Sequence, residues 1–207
     1  SIKLLEELSF YGAEVITYAE LQTTLIPSAK QKINQKLINS LTTLIFTSQN
    51  TVMYFMNILF KKGLDARSLS HIKIIAIGPK TTEKLRSFGL IADAMPETYE
   101  SSCLPALFKE DLSQETICIP SAEKGIEDYE KELQKRGATT IRIPLYKTHY
   151  HNLPVRYTPQ EKDILFATSP SWVEHFVQEN PGWEENLHVL CLGYQSKQIC
   201  EKNRFKK

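Results

Sequence analysis

A twelve-residue pattern occurs twice in this chain. Residues 44–55 read LIFTSQNTVMYF, and residues 165–176 read LFATSPSWVEHF. In each copy an apolar run ends at Thr-Ser, and a segment with helical periodicity follows. The similarity continues, because IAIGPKT (75–81) corresponds to LCLGYQS (190–196). We therefore interpret the chain as two copies of one plan, in the order strand, Thr-Ser, helix, strand, Gly-x-x-(Thr/Ser), helix.

Short apolar runs alternate with amphipathic segments along the rest of the chain. Strand candidates include EVITY (14–18) and IKIIAI (72–77), and the second lacks the polar alternation of a half-exposed strand. Predicted helices end at Gly63, Gly89 and Gly137, as helices with a glycine C-cap do. This order predicts an α/β protein with two similar parallel-sheet domains of the flavodoxin-like or Rossmann-like kind.

Two extended, weakly periodic segments interrupt this order. They are AELQTTLIP (19–27) and YKTHYHNLPVRY (146–157), and we interpret them as paired crossings between two domains. The predicted bounds are residues 1–21 plus 148–207 for domain one, 22–147 for domain two, and 19–27 and 146–152 for two linker strands. The alternative is a long edge hairpin within a single domain.

The composition excludes several classes of partner. The formal net charge is +1, so the chain has no broad basic face for nucleic acid. No run approaches the roughly 18 apolar residues that span a bilayer, so we expect no membrane partner. The four cysteines contain no Cys-x-x-Cys pair, which favours a reducing, cytoplasmic setting without disulfides.

The Thr-Ser pairs of the repeat point to anion binding. Thr47-Ser48 and Thr168-Ser169 each follow a predicted strand and precede a helix, where a hydroxyl can cap the helix. The first N–H groups of such a helix have no intrahelical partner and suit carboxylates or phosphates. We expect the two edges to face each other across a cleft and to hold one large anion from both sides. The alternative is that each hydroxyl is a helix cap and nothing more.

Other chemistries lack their usual marks. The chain contains no Gly-x-Gly-x-x-Gly and no Gly-Lys-(Ser/Thr) motif, so a nucleotide site is not indicated. His149 and His151 could lie on one strand face, but no third metal ligand accompanies them. We therefore expect no metal site.

Five stretches in order resemble the uroporphyrinogen-III synthase family. They are LIFTSQNTV, IAIGPKTTEKLRSFGL, IPSAEKG, YKT and ATSPSWVEHF, and the resemblance covers roughly residues 4–200. It implies two α/β domains joined by a two-stranded β linker. It also implies a cofactor-free lyase that cyclises hydroxymethylbilane to uroporphyrinogen III, with inversion of ring D and loss of water. This places the chain in tetrapyrrole (haem) biosynthesis, and the expected partners are the small-molecule substrate and, transiently, hydroxymethylbilane synthase. We expect a monomer.

The resemblance also implies site residues. Tyr146 matches the tyrosine that is the family's usual candidate acid for the departing hydroxyl. The alternative is a tyrosine whose hydroxyl serves only the structure. The matching substrate-binding positions are Thr47, Ser48, Gly78, Thr81, Ser121, Ser169, Ser171 and Ser196. Three lysines beside them are predicted to pair with substrate carboxylates: Lys80, Lys124 and Lys147.

The chain departs from the family pattern in several places. It begins within the first helix and stops short of the usual last strand and helix, so we expect a divergent member shortened at both ends. Ala122 stands where glycine is common, and Gln195 is unusual at its position. The alternative function is a non-enzymatic, two-lobed binding protein for an anionic small molecule.

Overall fold

A computed structural model describes residues 2–98, 101–124, 128–153, 157–160, 162–191 and 193–205. The chain forms two compact units. Unit 1 contains Ser1–Gln22 and His149–Lys207, and unit 2 contains Thr23–Thr148. None of the helices within the described ranges is long and apolar enough to cross a membrane.

Most elements belong to unit 2. Its helices are α2 (Ala29–Lys32), α3 (Gln35–Ser40), α4 (Gln49–Lys61), α5 (Pro79–Arg86) and α6 (Asp128–Lys135), with short 3-10 helices at Ala66–Leu69 and Ser101–Leu107. Its strands are β2 (Thr43–Phe46), β3 (Lys73–Ala76) and β4 (Thr116–Ala122). Strands β1 (Ala19–Leu25) and β5 (Thr139–Asn152) pass from one unit into the other. Unit 1 contains α1 (Ile2–Phe10), β6 (Ile164–Ala167), α7 (Pro170–Glu179), β7 (His188–Cys191) and α8 (Tyr194–Lys202).

The larger sheet is mixed, with the strand order β1-β5-β4-β2-β3. Strand β2 is parallel to both β3 and β4, and β4 is parallel to β5, as the sequence predicts. Strand β1 runs antiparallel to β5, because Ile26 N–H donates to Leu145 O while Leu153 N–H donates to Tyr18 O. The sheet is therefore mixed, because β1, which was predicted as a linker strand, joins its edge in the antiparallel direction. A chain that leaves a unit on one strand and returns on its neighbour must run in opposite directions on the two.

The core of unit 2 lies on both faces of this sheet. All four residues of β2 are buried. Leu44 and Phe46 pack on the side of α4, and Ile45 packs on the other side, with Leu133 of α6. This two-sided burial explains why the strand lacks polar alternation.

Helix α4 shows how the repeated motif directs local structure. Val52, Phe55, Met56 and Leu59 are fully buried and follow the i, i+3, i+4, i+7 spacing of one helix face. The helix ends before Gly63, whose φ of +75° is a left-handed conformation that glycine adopts without strain.

The smaller sheet belongs to unit 1 and pairs β6 with β7 in parallel. Its core includes Ala167, Val173, Phe176 and Leu187. The strand–helix–strand–helix order of the repeat is thus present in both units. Among the described residues, the sheet of unit 1 contains fewer strands than the sheet of unit 2.

The predicted strand at EVITY (14–18) is wrong, because residues 13–18 have no regular secondary structure. In the described part of unit 1, β6 has only β7 as a hydrogen-bonded neighbour, so these residues lack a partner strand. Tyr18 is held by the backbone bond from Leu153 N–H and by its side chain. Its ring contacts Phe176 edge-on at 5.3 Å, and its hydroxyl donates to Asn180 Oδ1 at 2.8 Å.

Candidate functional site

In unit 2, Ser48 closes the first turn of α4. Its Oγ accepts a hydrogen bond from Thr51 N–H (3.2 Å), and Thr51 Oγ1 accepts one from Ser48 N–H (3.2 Å). This reciprocal pair is a capping box, with threonine in place of the usual Glu or Gln. Helix capping, the plainest interpretation of the sequence, therefore accounts for part of the role of Ser48. Thr47, just before it, is half-buried at the carboxyl end of β2.

Ser48 has a second neighbour, the hydroxyl of Tyr146. The two oxygens are 3.4 Å apart, and Tyr146 is only 7% exposed. The ring of Tyr146 stacks on Tyr54 of α4, with centroids 5.2 Å apart. The Tyr54 hydroxyl donates in turn to Thr23 O at 2.8 Å. The phenol of Tyr146 is thus held between a strand and a helix, with its hydroxyl at the start of that helix.

A bulge in β5 sets the direction of Tyr146. Ser121 pairs with Pro144 and Ala122 with Tyr146, which leaves Leu145 as an extra residue. Leu145 and Tyr146 are consecutive, yet both lie in the same buried cluster as α4. A bulge redirects a side chain that strict alternation would place on the opposite face. Here it brings the hydroxyl of Tyr146 to Ser48.

Ser121 lies at the end of β4 and is 5% exposed. Its Oγ accepts a hydrogen bond from Arg142 Nε at 3.2 Å. Arg142 also forms an ion pair with Glu130 at 3.9 Å, and both side chains are mostly buried. A guanidinium therefore lies beside a predicted substrate-binding hydroxyl, which the sequence analysis did not anticipate.

The remaining predicted residues of unit 2 follow β3 and β4 or, for Lys147, lie within β5. Gly78 is the N-cap of α5, and Thr81, whose N–H donates to Gly78 O, is buried. Lys80 and Lys124 are exposed. Lys147 is also exposed and forms an ion pair with Glu123 at 3.2 Å. Such a surface pair contributes little free energy, so Lys147 can exchange Glu123 for another carboxylate.

In unit 1, Ser169 caps α7 by accepting a hydrogen bond from Trp172 N–H at 3.3 Å. Its Oγ lies 3.4 Å from Ser171 Oγ. The hydroxyl of Tyr150 lies 3.2 Å from Ser169 Oγ and 2.9 Å from Ser171 Oγ. Two predicted binding residues are therefore brought together, with a tyrosine that was not predicted. The other predicted residue of this unit, Ser196, is buried and is the third residue of α8, the helix that Gly193 caps.

The ring of Tyr150 stacks on His175 of α7, with centroids 4.9 Å apart and planes 24° apart. His175 Nε2 donates to Asn152 Oδ1 at 2.7 Å, and Asn152 Nδ2 donates to Glu179 Oε2 at 3.0 Å. His175 is not among the site residues predicted from the sequence. The signal that would have found it is its place in the repeat, where it aligns with Tyr54.

An open cavity of unit 1 lies at the opposite end of β6. Its lining includes Ile16, Tyr18, Asp163 and Trp183, and it contains none of the predicted site residues. In the described ranges, no group of three or more His, Cys, Asp or Glu side chains is placed to hold a metal ion.

Comparison with known proteins gives one family. The sequence profile of "Uroporphyrinogen-III synthase HemD" matches residues 3–207. The "Porphyrin biosynthesis protein HemD" of Ruminiclostridium josui is 29% identical over 212 residues, covering 96% of this chain and 41% of that protein. This chain thus spans about two fifths of the length of that relative.

Solved structures agree on the fold. A mutant uroporphyrinogen III synthase from Thermus thermophilus superposes with a TM-score of 0.66 at 16% identity, covering 99% of this chain and 85% of the other. The uroporphyrinogen-III synthetase of Helicobacter pylori gives a TM-score of 0.63 at 16% identity, covering 93% and 83%. At such identities the likeness concerns the fold alone.

Proposed function

This chain belongs to the uroporphyrinogen-III synthase family, and we propose that it cyclises hydroxymethylbilane to uroporphyrinogen III, with inversion of ring D and loss of water. The observation that supports this best is the position of Tyr146. Its phenol is fixed by Tyr54 and a β-bulge, and its hydroxyl lies 3.4 Å from the capping Ser48. A phenol hydroxyl can donate its proton to a departing hydroxyl.

The proposed first step breaks the carbon–oxygen bond of the hydroxymethyl group. Tyr146 donates its proton to the leaving oxygen, water departs, and a positively charged azafulvene remains. Ring closure through a spiro intermediate and loss of a carbon-bound proton complete the cycle, and that proton balances the one Tyr146 gave. Much of the acceleration is expected from bringing the two ends of a flexible chain together.

The substrate carries eight carboxylates, and both units offer groups that bind such anions. In unit 2 these are the residues that follow the strands, with Lys80, Lys124 and Lys147 beside them. In unit 1 they are Ser169, Ser171 and Ser196. We assign substrate binding to both sets, and acid catalysis to Tyr146 alone.

The two units are proposed to be domains, with β1 and β5 as the linker between them. The compact units divide after Gln22 and Thr148, one residue beyond each sequence-based bound. We further propose a cytoplasmic monomer that uses no metal or organic cofactor and receives its substrate through transient contact with hydroxymethylbilane synthase.

The test is an isomer assay with freshly prepared hydroxymethylbilane. Purified protein in catalytic amount should yield the type III isomer, whereas buffer or heat-denatured protein should yield the type I ring that forms spontaneously. If the protein binds uroporphyrinogen but leaves the isomer ratio unchanged, it is a binding protein and the enzymatic proposal is wrong.

A further inference from the structure

Strand β5 carries two tyrosines in matching surroundings. The hydroxyl of Tyr146 lies 3.4 Å from Ser48 Oγ, and that of Tyr150 lies 3.2 Å from Ser169 Oγ. Each serine is the N-cap of the helix that follows the first strand of the repeat. Two tyrosines four positions apart on one strand therefore contact equivalent serines in different units.

The correspondence extends to the aromatic stack. Six positions after each capping serine, the helix presents a ring that stacks on the tyrosine. This ring is Tyr54 in unit 2, at 5.2 Å and 19°, and His175 in unit 1, at 4.9 Å and 24°. The two tyrosines therefore match in their hydroxyl contact and in their stacking partner, and these partners occupy equivalent positions of the repeat. The arrangement is part of what the two copies of the repeat share.

The two tyrosines differ in what surrounds the hydroxyl. Tyr146 is buried, and its one described hydroxyl contact is the long one to Ser48. Tyr150 is half-exposed, and its hydroxyl is within 3.2 Å of both Ser169 and Ser171. Each of these three hydroxyls can rotate to donate its proton to an incoming acceptor. An accessible group of three donors is suited to holding a carboxylate.

The ring of Tyr150 is also held in place by contacts with helix α7. His175 stacks on it and donates to Asn152, which donates to Glu179. Asn152 lies two positions after Tyr150 on β5, so strand and helix are tied together at this point. Because the ring of Tyr150 is already held in place, little side-chain conformational freedom is lost when its hydroxyl binds a ligand.

We propose that Tyr150 is a second substrate-contacting tyrosine, which binds a carboxylate of the tetrapyrrole together with Ser169 and Ser171. This inference rests on the proposed function and deepens it. Tyr146 acts on the reacting oxygen, whereas Tyr150 contacts a group that does not change during the reaction. Tyr150 therefore contributes equally to binding of the substrate and of the transition state.

The experiment compares Tyr150→Phe with wild-type protein in steady-state kinetics. Because the variant keeps the stacked ring and loses only the hydroxyl, we expect KM to rise about tenfold with kcat within about twofold. The melting temperature should not change. His175→Ala removes the stacked ring and the bond to Asn152, so it should also raise KM. Tyr11→Phe is the control, because Tyr11 is exposed and far from the repeat in sequence.

A direct binding measurement separates this inference from the proposed function. Uroporphyrinogen III is titrated anaerobically into each protein by calorimetry, and Tyr150→Phe should bind about tenfold more weakly than wild type. If wild type makes no type III product but this difference persists, the enzymatic proposal fails and the binding role of Tyr150 stands. An unchanged KM and an unchanged affinity in Tyr150→Phe would overturn the inference, and so would a wild-type protein that does not bind uroporphyrinogen.

Discussion

The ring of Tyr146 lies nearly parallel to the ring of Tyr54, at 5.2 Å between centroids and 19° between planes. Strand β5 supplies one ring and helix α4 the other, and the Tyr54 hydroxyl donates to Thr23 O. Strand β5 and helix α4 therefore position the proposed acid within unit 2. Such prepositioning is what acid catalysis requires, since the proton donor must already lie near the leaving oxygen.

Removing the hydroxyl of Tyr146 tests its role as the acid. Tyr146→Phe keeps the stacked ring, so the fold should be unaffected, whereas kcat should fall by about tenfold to a thousandfold. The measurement is kcat for type III formation, with the melting temperature as the control for folding. An unchanged kcat would leave substrate bending as the main source of acceleration.

Tyr54 is expected to act as a positioning residue, and two variants separate its functions. Tyr54→Phe keeps the stack and loses the bond to Thr23, so kcat should stay near wild type. Tyr54→Leu loses both, so kcat should fall about tenfold or more and unfolding free energy by roughly 1–3 kcal/mol. Kinetics and urea unfolding measure the two effects. Equal kcat in the two variants would show that the stack does not position Tyr146.

The ion pair between Arg142 and Glu130 should stabilise unit 2. Both side chains are mostly buried, so Arg142→Gln removes the charged partner of the Glu130 carboxylate, which keeps its hydrogen bond from Thr140 Oγ1, and should lower unfolding free energy by about 2 kcal/mol. The double variant Arg142→Gln, Glu130→Gln should recover part of the loss. Arg67→Gln is the matched control, because the pair of Arg67 with Asp65 is exposed and its loss should have no measurable effect. Equal behaviour of the two single variants in urea unfolding would contradict this assignment.

Burial should protect Cys118 from alkylation. Desolvation raises the pKa of this thiol to about 12, so the reactive thiolate is scarce at pH 8. The folded pKa lies above the unfolded value of about 8.5. The contribution of Cys118 to folding stability is therefore complete below pH of about 8.5 and is lost as the pH rises toward 12. Mass spectrometry after iodoacetamide treatment at pH 8 should show labelled Cys103, which is half-exposed, and unlabelled Cys118. Labelling of Cys118 without denaturant would show that its strand opens readily.

Local patterns in the sequence predicted much of this architecture. The apolar runs of β2 and β3, the helix-capping serines Ser48 and Ser169 and the glycine after α4 each depend on neighbours a few residues away. The strand at EVITY (14–18) was predicted wrongly. A strand forms only where a partner strand lies beside it, and the described part of unit 1 has none next to these residues. Strand propensity depends on the segment alone and carries no information about such a partner.

Contacts between distant segments could not be read from one sequence. Tyr150 and His175 are brought together only by the fold, and so are Arg142 and Ser121. Pro144 precedes the bulge at Leu145, but a proline within a strand is compatible with an edge as well as a bulge, so TIRIPLY alone did not show which way Tyr146 points. The repeat itself could have indicated His175, because alignment of the two copies places it at the position of Tyr54.

Ring inversion by this chain is tested by a single-turnover reaction with protein in excess over hydroxymethylbilane. The products are oxidised and separated by chromatography at successive times. If the chain folds its substrate for ring inversion, type III product should dominate and form faster than the spontaneous ring. Type I product appearing at the uncatalysed rate, with the protein folded and in excess, would contradict the account.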